Sequence, residues 1–418
     1  MKKIIKRILI FLSILIAGCI ILFVANDESL PQGTLGKEAD DLALKMLSAI
    51  NKDAFDTTEI IEWNFRGKHQ YRWKKQEDLV EVLWDENKVT LHLKDPSKSE
   101  GATPEIIQTA QHFFNNDSFW LVAPYKVFEQ GVERRIVDYD GKKALLVTYT
   151  SGGSTPGDSY LWILDENGFP TSYKMWVSLI PLGGVTATWS DWKQGDSGMK
   201  FPTSHTISGF GIELDLGDVK AYNPKADALA QKVLKAIKHE AYKKTRYIDW
   251  SFATRRTYQW DKEQHRVEVL WNDAKVLLYP NDLEKSRAYL KGKEIENNSS
   301  LVKRAQDLFN NDSFWLVAPH KLFEPGICRS IVTIDGKEAL KVHYTIGGTT
   351  PGDSYIWMLD DQYMPTSYKM YVPSVNIKGA EATWGNWIAT ASGTMLPKSH
   401  TLSSGNQLSM GDVKGYNE

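Results

Sequence analysis

The sequence predicts a mainly β (α+β) protein made of two tandem domains behind an N-terminal transmembrane helix. Each domain is expected to be a curled antiparallel sheet, or half-barrel, with one leading helix and one inserted helix. Three observations support this prediction: the chain repeats itself, most of each repeat alternates apolar and polar residues, and only two segments per repeat have a helical period. Because two helices cannot cover both faces of so many strands, a strongly curled sheet that holds the helices in its concave face is the economical arrangement.

The internal repeat is the strongest feature of the sequence. Residues 115–124 recur unchanged at 310–319, an offset of 195 positions. Nearer the start of each copy the offset is 187, so the second copy has eight extra residues, which we place in the polar stretch 282–298. A repeat of this length indicates a duplicated domain rather than a solenoid. The predicted parts are an anchor and linker at residues 1–36, a first domain at 37–223 and a second domain at 224–418.

The N-terminal segment predicts the cellular compartment of the protein. Four basic residues precede residues 8–25, which are apolar apart from one serine and one glycine. As a helix this run would be about 27 Å long, which just spans a bilayer core. The basic flank predicts a single-pass anchor in the cell membrane, with a cytoplasmic N-terminus and residues 26–418 in the periplasm or outside the cell.

Two other fates of this N-terminal segment stay open. Residues 16–19 resemble a bacterial lipobox, which would leave a lipidated Cys19 at the mature N-terminus, although the apolar run continues after the cysteine. The segment could also be a cleaved signal. All three fates place residues 37–418 outside the cytoplasm.

Charge and cysteine content exclude several classes of function. With 50 basic and 52 acidic side chains the net charge is -2, so no basic field for nucleic acid is expected. Two cysteines, Cys19 and Cys328, are too few for a disulfide scaffold or a cysteine-rich zinc site. Lys243 stands where a zinc-binding His-Glu-x-x-His motif starting at His239 would need its second histidine. Neither a metal nor a cofactor is predicted, and the oligomeric state is left open.

The first half of each copy predicts a helix followed by a meander. Residues 37–51 carry apolar side chains at helical spacing, and residues 226–239 repeat the pattern in the second copy. Alternating segments of the first copy then predict four strands, at residues 61–65, 71–73, 80–84 and 89–93.

The second half of each copy predicts an inserted helix and then more strands. Thr103 is a suitable N-cap for this helix, followed by a proline and an acidic residue, and Asn115-Asn116 suits its end. From residue 136 to 223 the alternating pattern returns, with turns at positions such as Asp140-Gly141.

Two repeated motifs and this order of elements carry a resemblance to known families. The block Asn-Asp-Ser-Phe-Trp-Leu-x-Ala-Pro-x-Lys-x-Phe-Glu at 116–129 and the block Thr-Pro-Gly-Asp-Ser-Tyr at 155–160 are similar to an uncharacterised family of exported bacterial proteins. That family is grouped loosely with the LolA/LppX-like lipoprotein carriers, which the element order also resembles. In those carriers a half-barrel lidded by helices shelters acyl chains. The resemblance covers nearly all of residues 37–418, but the lid arginine of the carriers has no counterpart here.

The resemblance implies that the concave face of each domain binds a lipid, a lipoprotein acyl chain or another apolar ligand. Aromatic residues are frequent, with 15 Trp, 18 Tyr and 15 Phe, and several tryptophans lie 10 or 11 positions apart, the return distance of a meander. Met175 and Met370 each follow a lysine, a pairing that would suit an acyl chain with an anionic head. The candidate ligand-binding residues are Trp63, Trp73, Trp84, Trp162, Met175, Trp176, Trp250, Trp260, Trp271, Trp357, Met370 and Tyr371.

Other functions stay open as alternatives to a binding protein. One is a non-enzymatic scaffold of the cell envelope, and another is an aromatic platform for carbohydrate. A third is a hydrolase, because Gly-Asp-Ser-Tyr at 157–160 and 352–355 is similar to the nucleophile block of GDS-type esterases. Ser159 or Ser354 would then pair with His205 or His400, the histidines that occur in both copies. A strand pattern rather than a helix follows each serine, which favours a turn, and no catalytic residue is predicted.

The most exact repeat, residues 115–129, favours a structural role. We expect Asp117 to cap a backbone end, Phe119 and Trp120 to fill the core, and Lys126 to pair with Glu129.

Overall fold

The structure is a computed structural model that describes residues 27–152, 155–209, 211–296, 298–346 and 350–418. The predicted anchor at residues 8–25 and the alternative lipidation at Cys19 lie outside these residues. No helix within the described ranges is both long and apolar enough to cross a membrane. The chain divides into two compact units, with the division between Tyr222 and Asn223.

The described residues are mainly β, with antiparallel strand pairs and a few helices, as the sequence predicts. Each unit begins with a helix and a short second helix, and carries a longer helix between its two main sheets. The helices are α1 (Lys37–Ala49), α2 (Lys52–Thr57), α3 (Pro104–Val122), α4 (Pro224–Ala236), α5 (His239–Lys244) and α6 (Ser299–Val317).

The first unit contains a five-stranded sheet, a seven-stranded sheet and a two-stranded ribbon. Its strands are β1 (Ile60–Phe65), β2 (His69–Lys74), β3 (Leu79–Trp84), β4 (Asn87–His92), β5 (Val132–Tyr139), β6 (Lys142–Tyr149), β7 (Ser159–Leu164), β8 (Pro170–Trp176), β9 (Val185–Thr188), β10 (Lys193–Gln194), β11 (Lys200–Phe201), β12 (Ser204–Ile207), β13 (Ile212–Asp215) and β14 (Lys220–Tyr222). The five-stranded sheet has the order β14-β1-β2-β3-β4, and the seven-stranded sheet has the order β13-β12-β9-β8-β7-β6-β5.

The second unit contains a seven-stranded, a five-stranded and a three-stranded sheet. Its strands are β15 (Tyr247–Phe252), β16 (Arg256–Asp261), β17 (Arg266–Trp271), β18 (Ala274–Leu278), β19 (Arg287–Leu290), β20 (Lys293–Glu294), β21 (Ile327–Ile334), β22 (Lys337–Tyr344), β23 (Ser354–Leu359), β24 (Pro365–Val372), β25 (Ile377–Thr383), β26 (Gly385–Ala389), β27 (Met395–Thr401), β28 (Gln407–Ser409) and β29 (Lys414–Tyr416). The orders are β20-β19-β18-β17-β16-β15-β29, β21-β22-β23-β24-β25 and β26-β27-β28. The eight inserted residues fall in the region that forms β19 and β20, an additional hairpin at one edge of the seven-stranded sheet.

The expectation of one long sheet per domain is wrong, because each unit has separate sheets packed on its inserted helix. In the first unit, the ring of Phe114 lies 5.4 Å from the ring of Trp73 in the five-stranded sheet. One turn further on, the ring of Phe119 lies 4.5 Å from that of Tyr160 in the seven-stranded sheet. Helix α3 is therefore the core element that the two sheets share. The curvature of the sheets into half-barrels stays a prediction.

Helix α3 also continues past Asn115-Asn116, where the sequence predicted its end. Asp117 does not cap the helix but lies inside it, and its buried carboxylate accepts a hydrogen bond of 2.6 Å from the hydroxyl of Tyr71. The same carboxylate lies 2.7 Å from Nδ1 of His69. These bonds to the neighbouring sheet hold the segment in helical form, so tertiary contacts override the local preference of asparagine for a helix end.

Candidate ligand-binding site

The first unit contains a cavity of about 310 Å³ between the C-terminal half of α3 and the seven-stranded sheet. Side chains from the helix, from four strands and from two loops line it. They are Asn115, Asn116, Phe119, Trp120, Tyr149, Gly152, Thr155, Asp158, Tyr160, Met175, Val177, Leu179, Ile180 and Ile207. The volume lies at the lower end of the range for small-molecule sites.

The alternation of side chains along β7 and β8 decides which residues face this cavity. Tyr160 and Met175 are directly opposite each other in the strand pair, and both belong to the main core of the unit. Their neighbours in the chain point the other way, because successive side chains of a strand lie on opposite faces. Leu161 therefore belongs to a separate cluster on the outer face of the sheet, and Trp176 packs against that cluster.

The cavity wall is apolar, with a few polar groups. Asp158, at one side, is already bonded: its carboxylate accepts hydrogen bonds from the backbone N–H of Ser178 at 2.8 Å and from the hydroxyl of Thr155 at 2.6 Å. The buried hydroxyl of Tyr149 has no hydrogen-bond partner within the described residues. Burial raises the pKa of both Tyr149 and Tyr160, so both phenols stay neutral at physiological pH. The site can therefore accommodate an apolar group and one hydrogen-bonding group.

The loop at residues 177–184 forms part of the rim and leaves apolar surface in solvent. Leu179, at its centre, is 77% exposed. The loop is held by the start of the described chain, since the backbone N–H of Gly183 donates to the Asp27 carboxylate at 2.8 Å and the amide of Glu28 donates to the carbonyl of Gly183 at 3.2 Å. A Cβ atom at Gly183 would lie 2.4 Å from the carbonyl oxygen of Glu28, so this close approach requires glycine.

The same N-terminal residues hold the outer face of β8. The Glu28 carboxylate accepts a charge-assisted hydrogen bond of 2.5 Å from Nζ of Lys174, and its backbone carbonyl accepts one of 2.7 Å from the indole of Trp176. Lys174 and Trp176 were expected to face a ligand, but the structure directs both toward the N-terminal segment. The alternation of the strand explains this, because only Met175 of this tripeptide points to the cavity.

The other predicted ligand-binding residues lie in several environments. Most are buried or partly buried in the hydrophobic cores of their units, and Tyr371, at 37% exposure, is on the surface. Of the predicted set, Met175 lines the cavity described above and Trp260 lines a second cavity, in the second unit. The residues in or against the cores are Trp63, Trp73, Trp84, Trp162, Trp250, Trp260, Trp271, Trp357 and Met370.

The sequence-based set missed most of the cavity wall. Phe119 and Trp120 were expected only to fill the core, whereas they also line the cavity. Leu179 and Ile180 were not among the predicted ligand-binding residues, although two adjacent large apolar residues before a proline and a Gly-Gly turn are a signal for exposed apolar surface.

The Ser159–His205 pair that the hydrolase alternative would need is not formed, because both side chains make other contacts. The hydroxyl of Ser159 is 2.9 Å from that of Thr148, on the neighbouring strand. The ring nitrogens of His205 lie 2.8 Å and 2.7 Å from the backbone carbonyls of Thr188 and Trp120. Burial lowers the pKa of His205 to about 4, although both carbonyls act in the opposite direction. His205 thus joins the end of α3 to the sheet.

The second unit repeats this arrangement with one difference. His400 contacts the carbonyls of Thr383 and Trp315, both at 2.7 Å, and burial lowers its pKa to about 4 as well. The hydroxyl of Ser354, however, is 2.8 Å from Nδ1 of His343, its neighbour across the strand pair. The sequence-based pairing overlooked His343 because the first copy has a threonine there. This contact lies within the sheet ladder, where Nδ1 is also 3.1 Å from the carbonyl of Asp353.

The exact repeat at residues 115–129 contains an ion pair that occurs in both units. The predicted pairing of Lys126 with Glu129 is confirmed at 3.8 Å, and its counterpart between Lys321 and Glu324 is 3.5 Å.

Across the described ranges, no group of three or more His, Cys, Asp or Glu side chains is arranged to hold a metal ion.

Comparison with known proteins gives little further information. No protein-family model matches the chain, and no curated protein matches it. Among solved structures, the chain is similar to a DUF1329 family protein from Desulfovibrio piger, with a TM-score of 0.27 and 10% sequence identity. That match covers 46% of this chain and 92% of the other. The likeness is too weak to assign a family, so the resemblance to the lipoprotein carriers stays a prediction.

Proposed function

We propose that the protein is a membrane-anchored, extracytoplasmic binding protein that holds an apolar ligand, of the class of a lipid or lipoprotein acyl chain, in the cavity of its first unit. The observation that carries the proposal is the composition of the wall, in which nine of the fourteen lining residues are apolar or aromatic and one, Asp158, is charged. Asp158 is engaged by Ser178 and Thr155, which leaves the interior without a free ion. Such a site favours uncharged hydrocarbon over a polar metabolite.

The exposed rim supplies the driving force for binding. Leu179 lies largely in solvent, and its neighbour Ile180 also lines the cavity. A bound chain would remove these side chains and its own methylene groups from water, with a gain of about 0.8 kcal/mol for each CH₂ group buried. Contiguous apolar surface beside a cavity is typical of an interaction site.

The position of the rim in the chain supports a ligand that comes from the membrane. The loop at 177–184 is bonded to Asp27 and Glu28, which follow the predicted anchor at residues 8–25 almost directly. If that anchor spans the bilayer, one or two residues separate the membrane surface from the cavity rim. Each residue extends the chain by at most about 3.6 Å, so acyl chains would lie within reach of the opening.

A cavity-filling variant tests the proposal. The full-length chain in neutral detergent is titrated with a fluorescent fatty acid, and Ile180→Trp should weaken binding at least tenfold because the indole occupies the ligand volume. The matched control is Val375→Trp, at the equivalent position of the second unit, where the side chain is 63% exposed. Equal affinity for the wild type and Ile180→Trp, or equal loss in both variants, would contradict the proposal and would favour an envelope scaffold.

A further inference from the structure

The second unit contains a cavity of a different chemical character, with a volume of about 450 Å³. It lies between α5, the strand β16 and the turn that follows α6. Three lysines and three histidines line it, against a single carboxylate, that of Glu324. Two of the lysines have surface partners: Lys243 pairs with Glu240 at 2.7 Å, and Lys321 pairs with Glu324 at 3.5 Å. Exposed pairs of this kind contribute little stability and can open to admit another anion.

The third lysine, Lys262, has no acidic partner among the described residues. Its ammonium group lies 3.7 Å from the centre of the Tyr242 ring and donates to the backbone carbonyl of the same tyrosine. Burial, together with the nearby charge of Lys321, lowers the pKa of Lys262 to about 8. An anion bound beside both lysines would raise the pKa of Lys262 again, because its attraction to both ammonium groups offsets the repulsion between them.

Aromatic rings form the floor beside this lysine. The ring of Tyr242 is stacked on that of His320, with centroids 4.2 Å apart and planes within 6°. His320 is held in turn by the carbonyl of Met395, 3.0 Å from Nε2, and its Nδ1 lies 3.4 Å from Nδ1 of His239. Tyr242, held in this stack, contacts Lys262 through its ring and its backbone carbonyl, which places the ammonium group in the same cavity as Lys321.

The first unit lacks this concentration of charge at the equivalent positions. It keeps Lys75 and Lys126, which correspond to Lys262 and Lys321, and Lys75 likewise lies over a ring, 3.6 Å from the centre of Phe55. However, it has Asp56 and Asp78 where the second unit has Lys243 and His265. With Lys52 in place of His239 and Glu129 in place of Glu324, the first unit has three lysines and three carboxylates at these positions. The second unit has three lysines and one carboxylate. The duplicated framework has become basic in one copy.

We propose that the cavity of the second unit binds a phosphate group, through Lys262 and Lys321 at the base and Lys243 at the rim. Phosphate suits this site because it carries more than one negative charge, and lysine binds it as a point charge without a fixed geometry. Free phosphate compounds and phospholipid headgroups share this chemistry. The site lies in the other unit from the apolar cavity, so it goes beyond the function proposed above.

Titration calorimetry on the full-length chain in neutral detergent tests this site, with inorganic phosphate and a short-chain phosphatidylglycerol as separate probes. We expect saturable binding of at least one probe. The double variant Lys243→Asp/His265→Asp gives the second unit the acidic residues of the first at two exposed positions, and it should weaken binding at least tenfold. The matched control, Lys244→Asp/Gln264→Asp, changes the charge by the same amount at neighbouring positions outside the cavity and should bind as the wild type does.

Each outcome has a distinct meaning. Binding of inorganic phosphate that the first double variant weakens supports a site for free phosphate compounds. Binding of phosphatidylglycerol alone, weakened by the same variant, supports a headgroup site. No saturable binding of either probe, or equal weakening by the control, would overturn the proposal. The Ile180→Trp variant should leave these titrations unchanged, so failure of the apolar site and failure of this one are distinguishable.

Discussion

The two units place the same carboxylate at the same point of the inserted helix but pair it with different bases. Asp117 lies 2.7 Å from Nδ1 of His69, whereas Asp312 accepts a hydrogen bond of 3.0 Å from Nη2 of Arg256 and a second bond from its Nε. A tyrosine hydroxyl, from Tyr71 or from its counterpart, donates to the carboxylate in both units. The attachment of the helix to the sheet thus explains the exact repeat. This attachment tolerates a change in the basic side chain that pairs with the aspartate.

The rim of the cavity in the first unit differs from the equivalent region of the second unit much more than this attachment does. In the first unit residues 177–184 form an open rim loop, and in the second the equivalent stretch is a tight turn between β24 and β25. The rim loop is bonded to Asp27 and Glu28, residues that precede the first copy and have no equivalent in front of the second. The duplication therefore preserved the framework, while the surfaces able to bind ligands diverged.

The largest expected effect comes from removing the shared carboxylate. Asp312→Ala should destabilise the second unit by about 3–5 kcal/mol, because it leaves the always-charged Arg256 without its buried partner. Asp117→Ala should cost the first unit less, about 1–3 kcal/mol, because it removes hydrogen bonds to Tyr71 and His69 but leaves no guanidinium unpaired. Hydrogen–deuterium exchange read by mass spectrometry measures both units separately. Asp307→Asn, at a partly exposed position on the same helix, is the control, and equal losses in the two units would contradict this interpretation.

The second prediction concerns the loss of folding stability at acidic pH. Burial lowers the pKa of His205 and of His400 to about 4, and that of His320 to about 3. These pKa values in the folded protein lie below the value of about 6.5 for an unfolded histidine. Between the two values the unfolded chain binds more protons than the folded chain does. The free energy of unfolding therefore falls as the pH drops below about 6.5. Each histidine can cost up to about 1.4 kcal/mol per pH unit. The second unit contains two of these histidines and also the partly buried His239, whose pKa burial lowers as well, whereas the first unit contains one. The second unit should therefore lose protection more steeply as the pH falls.

The variant His320→Tyr sharpens this comparison. It introduces the residue of the first unit, where the hydroxyl of Tyr125 donates to the carbonyl of Ile50 at 2.7 Å. Between pH 7 and pH 5 the second unit should then lose less protection than the wild type does, and the remaining excess over the first unit is the one expected from His239. A second unit that is as acid-sensitive after this substitution as before it would show that groups other than His320 are responsible.

A smaller effect is expected at the N-terminal contact. Gly183→Lys introduces the residue of the second unit and should displace Asp27 and Glu28, at a cost of about 1–2 kcal/mol, because a side chain has no room against the carbonyl of Glu28. Limited proteolysis should then cut residues 27–36 faster than in the wild type. The reverse change, Lys378→Gly, is the control, and equal proteolysis of wild type and Gly183→Lys would contradict the account.

The smallest effect is predicted for the repeated surface pair. Glu129→Gln and Glu324→Gln should each change unfolding by less than about 0.5 kcal/mol, since exposed ion pairs are screened by water. Thermal unfolding checks this. A loss of twice that size in either unit would mean that the repeat depends on this pair rather than on the buried carboxylate.

Much of the framework could be predicted because it follows from local periodicity. The four strands of the meander and the leading helix α1 appear where alternating and helical spacing indicate them. The end of α3 was misplaced because the side chain of Asp117 is bonded to residues about 46 positions away, which no local pattern reports. Most cavity residues were missed because the pattern does not show which face of the sheet each strand residue occupies. The rim loop also depends on Glu28, which bonds to Gly183 in that loop and to Lys174, 146 positions away in the chain.

The most direct test of the proposed function is a crystal structure of the full-length chain soaked with a fatty acid brominated near its methyl end. We expect an anomalous bromine peak in the first unit, between Phe119 and Met175, with the acyl chain leaving past Leu179. A cavity that shows no bromine, or a bromine bound only elsewhere on the protein, would contradict it.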